Sequence, residues 1–173
     1  MLYCIFFFSD IYNEILVDEF DRFDNLAKMK PHLLNCLRDS YNVTLFMKAI
    51  EDGEYQLFYK LLDYPQDISI VDNYGMNVFH HAAYSGNGEC WFEELKKKIL
   101  QESELKVLLN KQTNCGWTVL HCSEAGNANI ESIRWMLQNG VSMDIVDECN
   151  MLAYEEYGGN KEKLIRELTA DNL

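Results

Sequence analysis

Two short runs hold the residues best suited to chemistry, "FHHAA" at 79–83 and "VLHCS" at 119–123. In the first, His80 and His81 stand side by side; in the second, His121 precedes Cys122. Imidazole and thiol together could hold zinc or serve as base and nucleophile. The spacing favours neither use. None of Cys4, Cys36, Cys90, Cys115, Cys122 and Cys149 forms a C-x-x-C pair, the short paired spacing with which zinc sites announce themselves. Neighbouring residues on a helix point about 100° apart, so His80 and His81 do not share an ion, and His121 turns away from Cys122. His81 and Cys122 hold matching places in their runs, and stacking could set one beside the other. No oxyanion hole, phosphate loop, dinucleotide fingerprint, nucleophile elbow or H-E-x-x-H accompanies them. No metal, cofactor or catalytic residue is therefore expected, and an enzyme built on Cys122 and a histidine is kept only as the alternative of another class.

The elements that carry these runs repeat. "DSYNVTLFMKAIEDG" (39–53) aligns with "DNYGMNVFHHAAYSG" (72–86) at a period of 33 residues. A third copy is "NCGWTVLHCSEAG" (114–126), and "DECNMLAYEEYGGN" (147–160) is a worn fourth. Between Asn77 and Thr118 the spacing grows to 41 residues. Each copy follows one logic. An Asp or Asn opens a turn by bonding the backbone two residues on. A Thr or Asn then caps a short helix, and a Gly in the left-handed region ends it. A second helix follows with apolar residues at helical spacing: Leu57, Leu61 and Leu62; Trp91, Leu95 and Ile99; Ile130, Ile133 and Leu137. "NGVSMDIVD" (139–147) returns the chain to the next turn. In the third copy Gly126 arrives one residue early and Glu124 falls where Ala is usual, so Asn127 is expected to take the left-handed cap.

The period, the "TVLH" of 118–121, the "NVFHHAA" of 77–83 and the "NG" return resemble the ankyrin repeat. The resemblance implies an all-α solenoid of helix-turn-helix units joined by β-turn loops. One domain over 1–173 is expected: a degenerate helical cap over 1–38, repeats at 39–71, 72–113 and 114–146, and a capping repeat at 147–173. The insertion lies in the second repeat. "LKKKILQESELKVLLNKQT" (95–113) is read as an extended second helix that breaks near Glu102–Ser103 and resumes through Leu105, Leu108 and Leu109. By the family's pattern His80 and His121 are scaffold residues that bond backbone between repeats, whereas His81 takes the variable place on the concave side.

Composition narrows the function. Net charge is −13 over 173 residues, which opposes a nucleic-acid-binding surface, since that needs clustered Lys and Arg. Both ends are acidic and the middle is balanced, which first of all serves solubility; the second reading is a partner with a basic segment, which such a field would draw in quickly. The apolar start "MLYCIFFFSD" lacks a basic leader and is too short to span a bilayer. Reduced thiols in a cytosolic or nuclear setting are expected, and the sequon Asn42-Val43-Thr44 is read as chance. Lys96, Lys97 and Lys98 are read as a solvated helix face. Phe46, Phe79, Trp91, Phe92 and Trp135 fall at core positions, whereas Tyr74, Tyr84 and Trp117 do not.

Ankyrin arrays are binding scaffolds whose turn tips and first helices meet the partner. Carried over by position, the contact residues are Lys48, Glu51, Asn73, Tyr74, His81, Tyr84, Trp117 and Cys122, with neither membrane nor small molecule as a partner. The short acidic array, with its lengthened repeat ahead of "TVLH", is also similar to the IκB proteins that hold NF-κB factors inactive, and to small viral IκB-like proteins of the vankyrin type. That likeness implies a Rel-homology transcription factor as partner, bound through its basic surfaces in the cytoplasm or nucleus, of a host cell if the protein is viral. No D-S-G-x-x-S degron is present, so signal-dependent release is not expected. The runner-up is a generic adaptor or effector that recruits another host protein.

Overall fold

A computed structural model of the chain describes residues 8–13, 21–86, 88–98 and 101–153. The described residues are helical, with isolated bridges at Arg38–Thr44 and Val146–Leu152 and no strand. The contacts divide the chain into two compact units, residues 1–78 and 79–173.

The first unit begins with helix α1 (residues 8–13) and α2 (Asp21–Met29), followed by a 3-10 turn (Pro31–Cys36), α3 (Leu45–Glu51) and α4 (Tyr55–Leu62). Helix α3 has seven residues, too few to persist alone, and its ends are fixed by local chemistry. Thr44 stands in extended conformation and its hydroxyl accepts the Met47 N–H at 3.2 Å. Gly53, at φ +73, ends the turn, and the Glu54 N–H reaches back to the Ala49 carbonyl at 2.7 Å. Ala49 then lets α4 come close, and Phe46 stacks on Phe58 with ring centroids 5.2 Å apart. Leu57, Leu61 and Leu62 are buried as the helical spacing requires. Within the expected N-terminal cap, α1 buries Phe8, Ile11 and Tyr12, and α2 buries Phe23 and Ala27.

In the second unit α5 (Val78–Tyr84, entering from the first), α6 (Gly88–Lys96), α7 (Glu102–Leu109), α8 (Val119–Ala125) and α9 (Ile130–Gln138) follow in order. Phe92 links its neighbours, stacking on Phe79 at 6.3 Å and on Trp135 at 4.8 Å. All five aromatic residues placed in the core by sequence are buried. In α9 the buried face is Ser132, Trp135 and Met136, while Ile133 and Leu137 are half-buried, so the apolar stripe lies slightly rotated from the expected one.

The insertion forms its own helix. Helix α6 stops at Lys96, several residues before the expected break, and α7 starts at Glu102 after an extended Gln101. Leu105, Leu108 and Leu109 are buried. Asn110 ties the end of α7 to the return loop: its amide donates to the Gly140 carbonyl at 2.9 Å and its carbonyl accepts the Ser142 N–H at 2.7 Å. Lys96 bonds Asn139 Oδ1 at 2.8 Å and Lys97 pairs with Glu94, so only part of the lysine run is a plain solvated face. Of the expected capping repeat at 147–173, residues 154–173 lie outside the described residues, as do Cys4 and Ile99.

Candidate functional site

The turns set the register of everything that follows. Asp39 Oδ1 accepts the N–H groups of Tyr41 (2.8 Å) and Val43 (2.9 Å). Asp72 Oδ1 does the same for Tyr74 and Met76, and Asp147 Oδ1 for Cys149 and Met151. In each turn the fourth residue is left-handed: Asn42 at φ +66, Gly75 at +82, Asn150 at +62. The third copy keeps the geometry with a different atom. Thr113 Oγ1 accepts the Trp117 N–H at 3.1 Å, and Gly116 is left-handed at φ +85. The turn therefore opens at Thr113, one residue before the expected boundary at Asn114, with a hydroxyl in place of the carboxylate.

Neighbouring tips are joined by one backbone bond that recurs in both units. In the first, the Asn73 N–H donates to the Tyr41 carbonyl at 2.9 Å. In the second, the Glu148 N–H donates to the Cys115 carbonyl at 3.1 Å. The sequon is consumed by this framework: Asn42 donates to the Val71 carbonyl and accepts from Arg38, while Val43 and Thr44 are buried.

On the first unit's tips Tyr41 and Tyr74 stack, with ring centroids 6.2 Å apart and planes at 21°, yet they remain 55% and 56% exposed. Asn73 is exposed beside them and donates to the Ser40 carbonyl. Two large rings are thus held against each other in solvent, on backbone fixed by four side-chain bonds to Asp39 and Asp72. Tyr41 is a turn-tip position by the repeat pattern, and it and Tyr74 share one place in copies 33 residues apart.

The inner-helix candidates divide. Lys48 is half-buried, and its ammonium bonds Glu51 at 3.1 Å and Asp52 at 2.8 Å. Burial works against its charge, but the bonds to Asp52 and Glu51 prevail and hold its pKa above the ordinary lysine value. Asp52 also accepts the hydroxyl of Tyr12. Burial, that bond and the nearby charges of Asp52, Glu54 and Glu51 push the Tyr12 pKa far up, so the phenol stays a donor. Lys48 is thus answered locally by two carboxylates, and with Glu54 this edge of the first unit is acidic. Tyr84 is exposed and Trp117 half-buried. His81 and Cys122 are not on an open surface: they are 4% and 1% exposed. Their expected solvent-facing placement is corrected, and as contact residues both are withdrawn.

His80 and His121 are held by backbone. His80 Nε2 lies 3.0 Å from the Lys111 carbonyl, which can only accept, so Nε2 carries the proton. His121 Nδ1 accepts the Thr118 N–H at 3.1 Å, and its Nε2 donates to the Met151 carbonyl at 3.2 Å. One tautomer satisfies both bonds. No group of three His, Cys, Asp or Glu side chains among the described residues is arranged to hold a metal. Burial of Cys122 bears on the alternative of a thiol enzyme. Alkylation at neutral pH should leave Cys122 unlabelled while Cys36, Cys90, Cys115 and Cys149, all exposed, are labelled; a Cys122 that reacts faster than those four would restore that alternative.

Among known proteins, the family model for ankyrin repeats (3 copies) matches residues 46–147. The fold is similar to the crystal structure of EF0377, an ankyrin repeat protein, with a TM-score of 0.60 at 18% identity, over 79% of this chain and 67% of that one. No curated protein matches the chain.

Proposed function

Because the chain belongs to the ankyrin-repeat family and is a protein–protein interaction scaffold, we propose that it works by stoichiometric capture of a protein with a basic surface, as an IκB-like inhibitor of Rel-homology transcription factors. The observation that carries this reading is the exposed Tyr41–Tyr74 stack on rigid turn tips, in a unit whose inner edge is acidic at Glu51 and Asp52. Aromatic rings on a fixed backbone lose little entropy on binding. They also offer their faces to guanidinium groups, a preference worth about 0.5–2 kcal/mol per contact. The net charge of −13 speeds the approach of a partner whose nuclear-localisation and DNA-contacting surfaces are basic. Covering those surfaces would keep the factor from DNA, in a block that we propose is not released by signalling. Such an inhibitor would work in the cytoplasm or nucleus, in a host cell if the protein is viral, where it would suppress immune signalling.

The test is capture of purified Rel-homology domains by the full chain, alongside an NF-κB reporter. Binding and a silenced reporter are expected, and Tyr41→Ala with Tyr74→Ala should weaken capture tenfold or more while the unfolding midpoint stays within a degree or two. No association and an unaffected reporter would sink the Rel-factor reading. Recovery of an unrelated host protein through the same tyrosines would instead favour the adaptor.

A further inference from the structure

The tips of the second unit carry a different pair at the place the tyrosines hold in the first. Cys115 stands two residues after Thr113 and Cys149 two after Asp147, as Tyr41 does after Asp39 and Tyr74 after Asp72. Both cysteines are exposed and free. Two contacts draw their backbones together. The Glu148 N–H donates to the Cys115 carbonyl at 3.1 Å, the approach of adjacent strands, about 5 Å between chains. Gly116 closes on the same segment: a Cβ there would lie 2.6 Å from the Glu148 nitrogen and 2.9 Å from the Asp147 Cα. Disulfides join Cα atoms about 4.4–6.8 Å apart, a span that this approach makes reachable. In the first unit the residues at these two places touch, ring on ring.

We propose that Cys115 and Cys149 form a peroxide-sensitive dithiol that closes to a disulfide across neighbouring turn tips. Cys115 reacts first. Thr113 Oγ1 already accepts the Trp117 N–H, which leaves its hydroxyl hydrogen for Cys115 Sγ, 3.2 Å away; the same hydrogen can meet the thiolate. The Cys115 thiolate attacks one oxygen of hydrogen peroxide, breaking the O–O bond and giving a sulfenic acid and, with one proton, water. The Cys149 sulfur then displaces the sulfenic hydroxyl, which leaves as a second water. Two thiols are oxidised and one peroxide is reduced to two waters. The bridge encloses α8 and α9 in one covalent loop, which restrains the unfolded chain, and it removes two thiols from the tip surface.

The test uses the full chain, treated with stoichiometric hydrogen peroxide, then alkylated and mapped by mass spectrometry. The expected result is a cross-linked peptide joining Cys115 to Cys149, two hydrogens lighter than its parts, with Cys36 and Cys90 still alkylated. The unfolding midpoint should rise and return on reduction. In Cys149→Ser, a dimedone-type probe should trap the sulfenic acid on Cys115, and Thr113→Val should slow closure several-fold. Continued alkylation of Cys149 after peroxide treatment, or pairing with Cys36 or Cys90 instead, would overturn the proposal.

Discussion

Gly126→Ala should be among the most damaging single substitutions in the chain, although it adds one methyl group. Gly126 has an ordinary φ of −80, so no backbone preference demands glycine there. Space demands it. A Cβ at 126 would lie 2.2 Å from the Tyr84 carbonyl oxygen and 2.6 Å from its carbonyl carbon, and those atoms are backbone that cannot swing aside. The ends of α5 and α8 pass each other at this point, and Gly86, at the end of α5, would meet the Gly126 carbonyl at 3.0 Å if it too carried a Cβ. Overpacking of this kind costs about 1–3 kcal/mol when the core can adjust and more when it cannot, so a loss of roughly 3 kcal/mol is expected, read as a drop in urea midpoint. Gly53→Ala is the control. It is left-handed at φ +73 but has nothing within 4 Å of a new Cβ, so only strain of about 1–2 kcal/mol applies. If Gly53→Ala proved the more harmful, conformation rather than close approach would govern these glycines.

The same residue shows where sequence reading succeeds and where it stops. A glycine one place early in the third copy looked like a local departure, and Asn127 was expected to take the left-handed position; it does, at φ +52. The reason for the displaced glycine was not legible, because close approach is a property of two backbones distant in sequence. Turn anchors were legible at Asp39, Asp72 and Asp147, where the carboxylate is visible as such. Thr113 hid, since a hydroxyl can fill the role without resembling it. His81 and Cys122 failed for a third reason. Repeat position says which way a side chain points from a helix, but not what another part of the chain lays over it. Both residue types are at home in either setting, and both are buried. The insertion is legible from its length and from Leu105, Leu108 and Leu109; the end of α6 at Lys96, ahead of the expected break at Glu102, is not, because nothing in "KKKILQE" marks a stop.

His121 is the second site of large expected effect, and its two nitrogens can be tested apart. Nδ1 accepts the Thr118 N–H, one of the donors that a helix start leaves without an intrahelical partner. Nε2 donates to the Met151 carbonyl in the following copy. The ring is almost wholly buried, so removing it strands a donor and an acceptor away from water, at about 1–3 kcal/mol for each, and leaves a cavity as well. His121→Ala should therefore cost roughly 3 kcal/mol or more, measured by urea unfolding. Asn places a carbonyl oxygen near Nδ1 and keeps the cap, whereas Gln reaches toward Nε2 with an amide donor and keeps the tie to Met151. Each should recover part of the loss, and by different routes. Hydrogen exchange at the Thr118 amide should be slow in His121→Asn and fast in His121→Gln. Protease resistance around Met151 should show the reverse order. If both variants lost the two protections together, the histidine would be acting as one packed unit, and the division into a cap and an inter-repeat tie would be wrong.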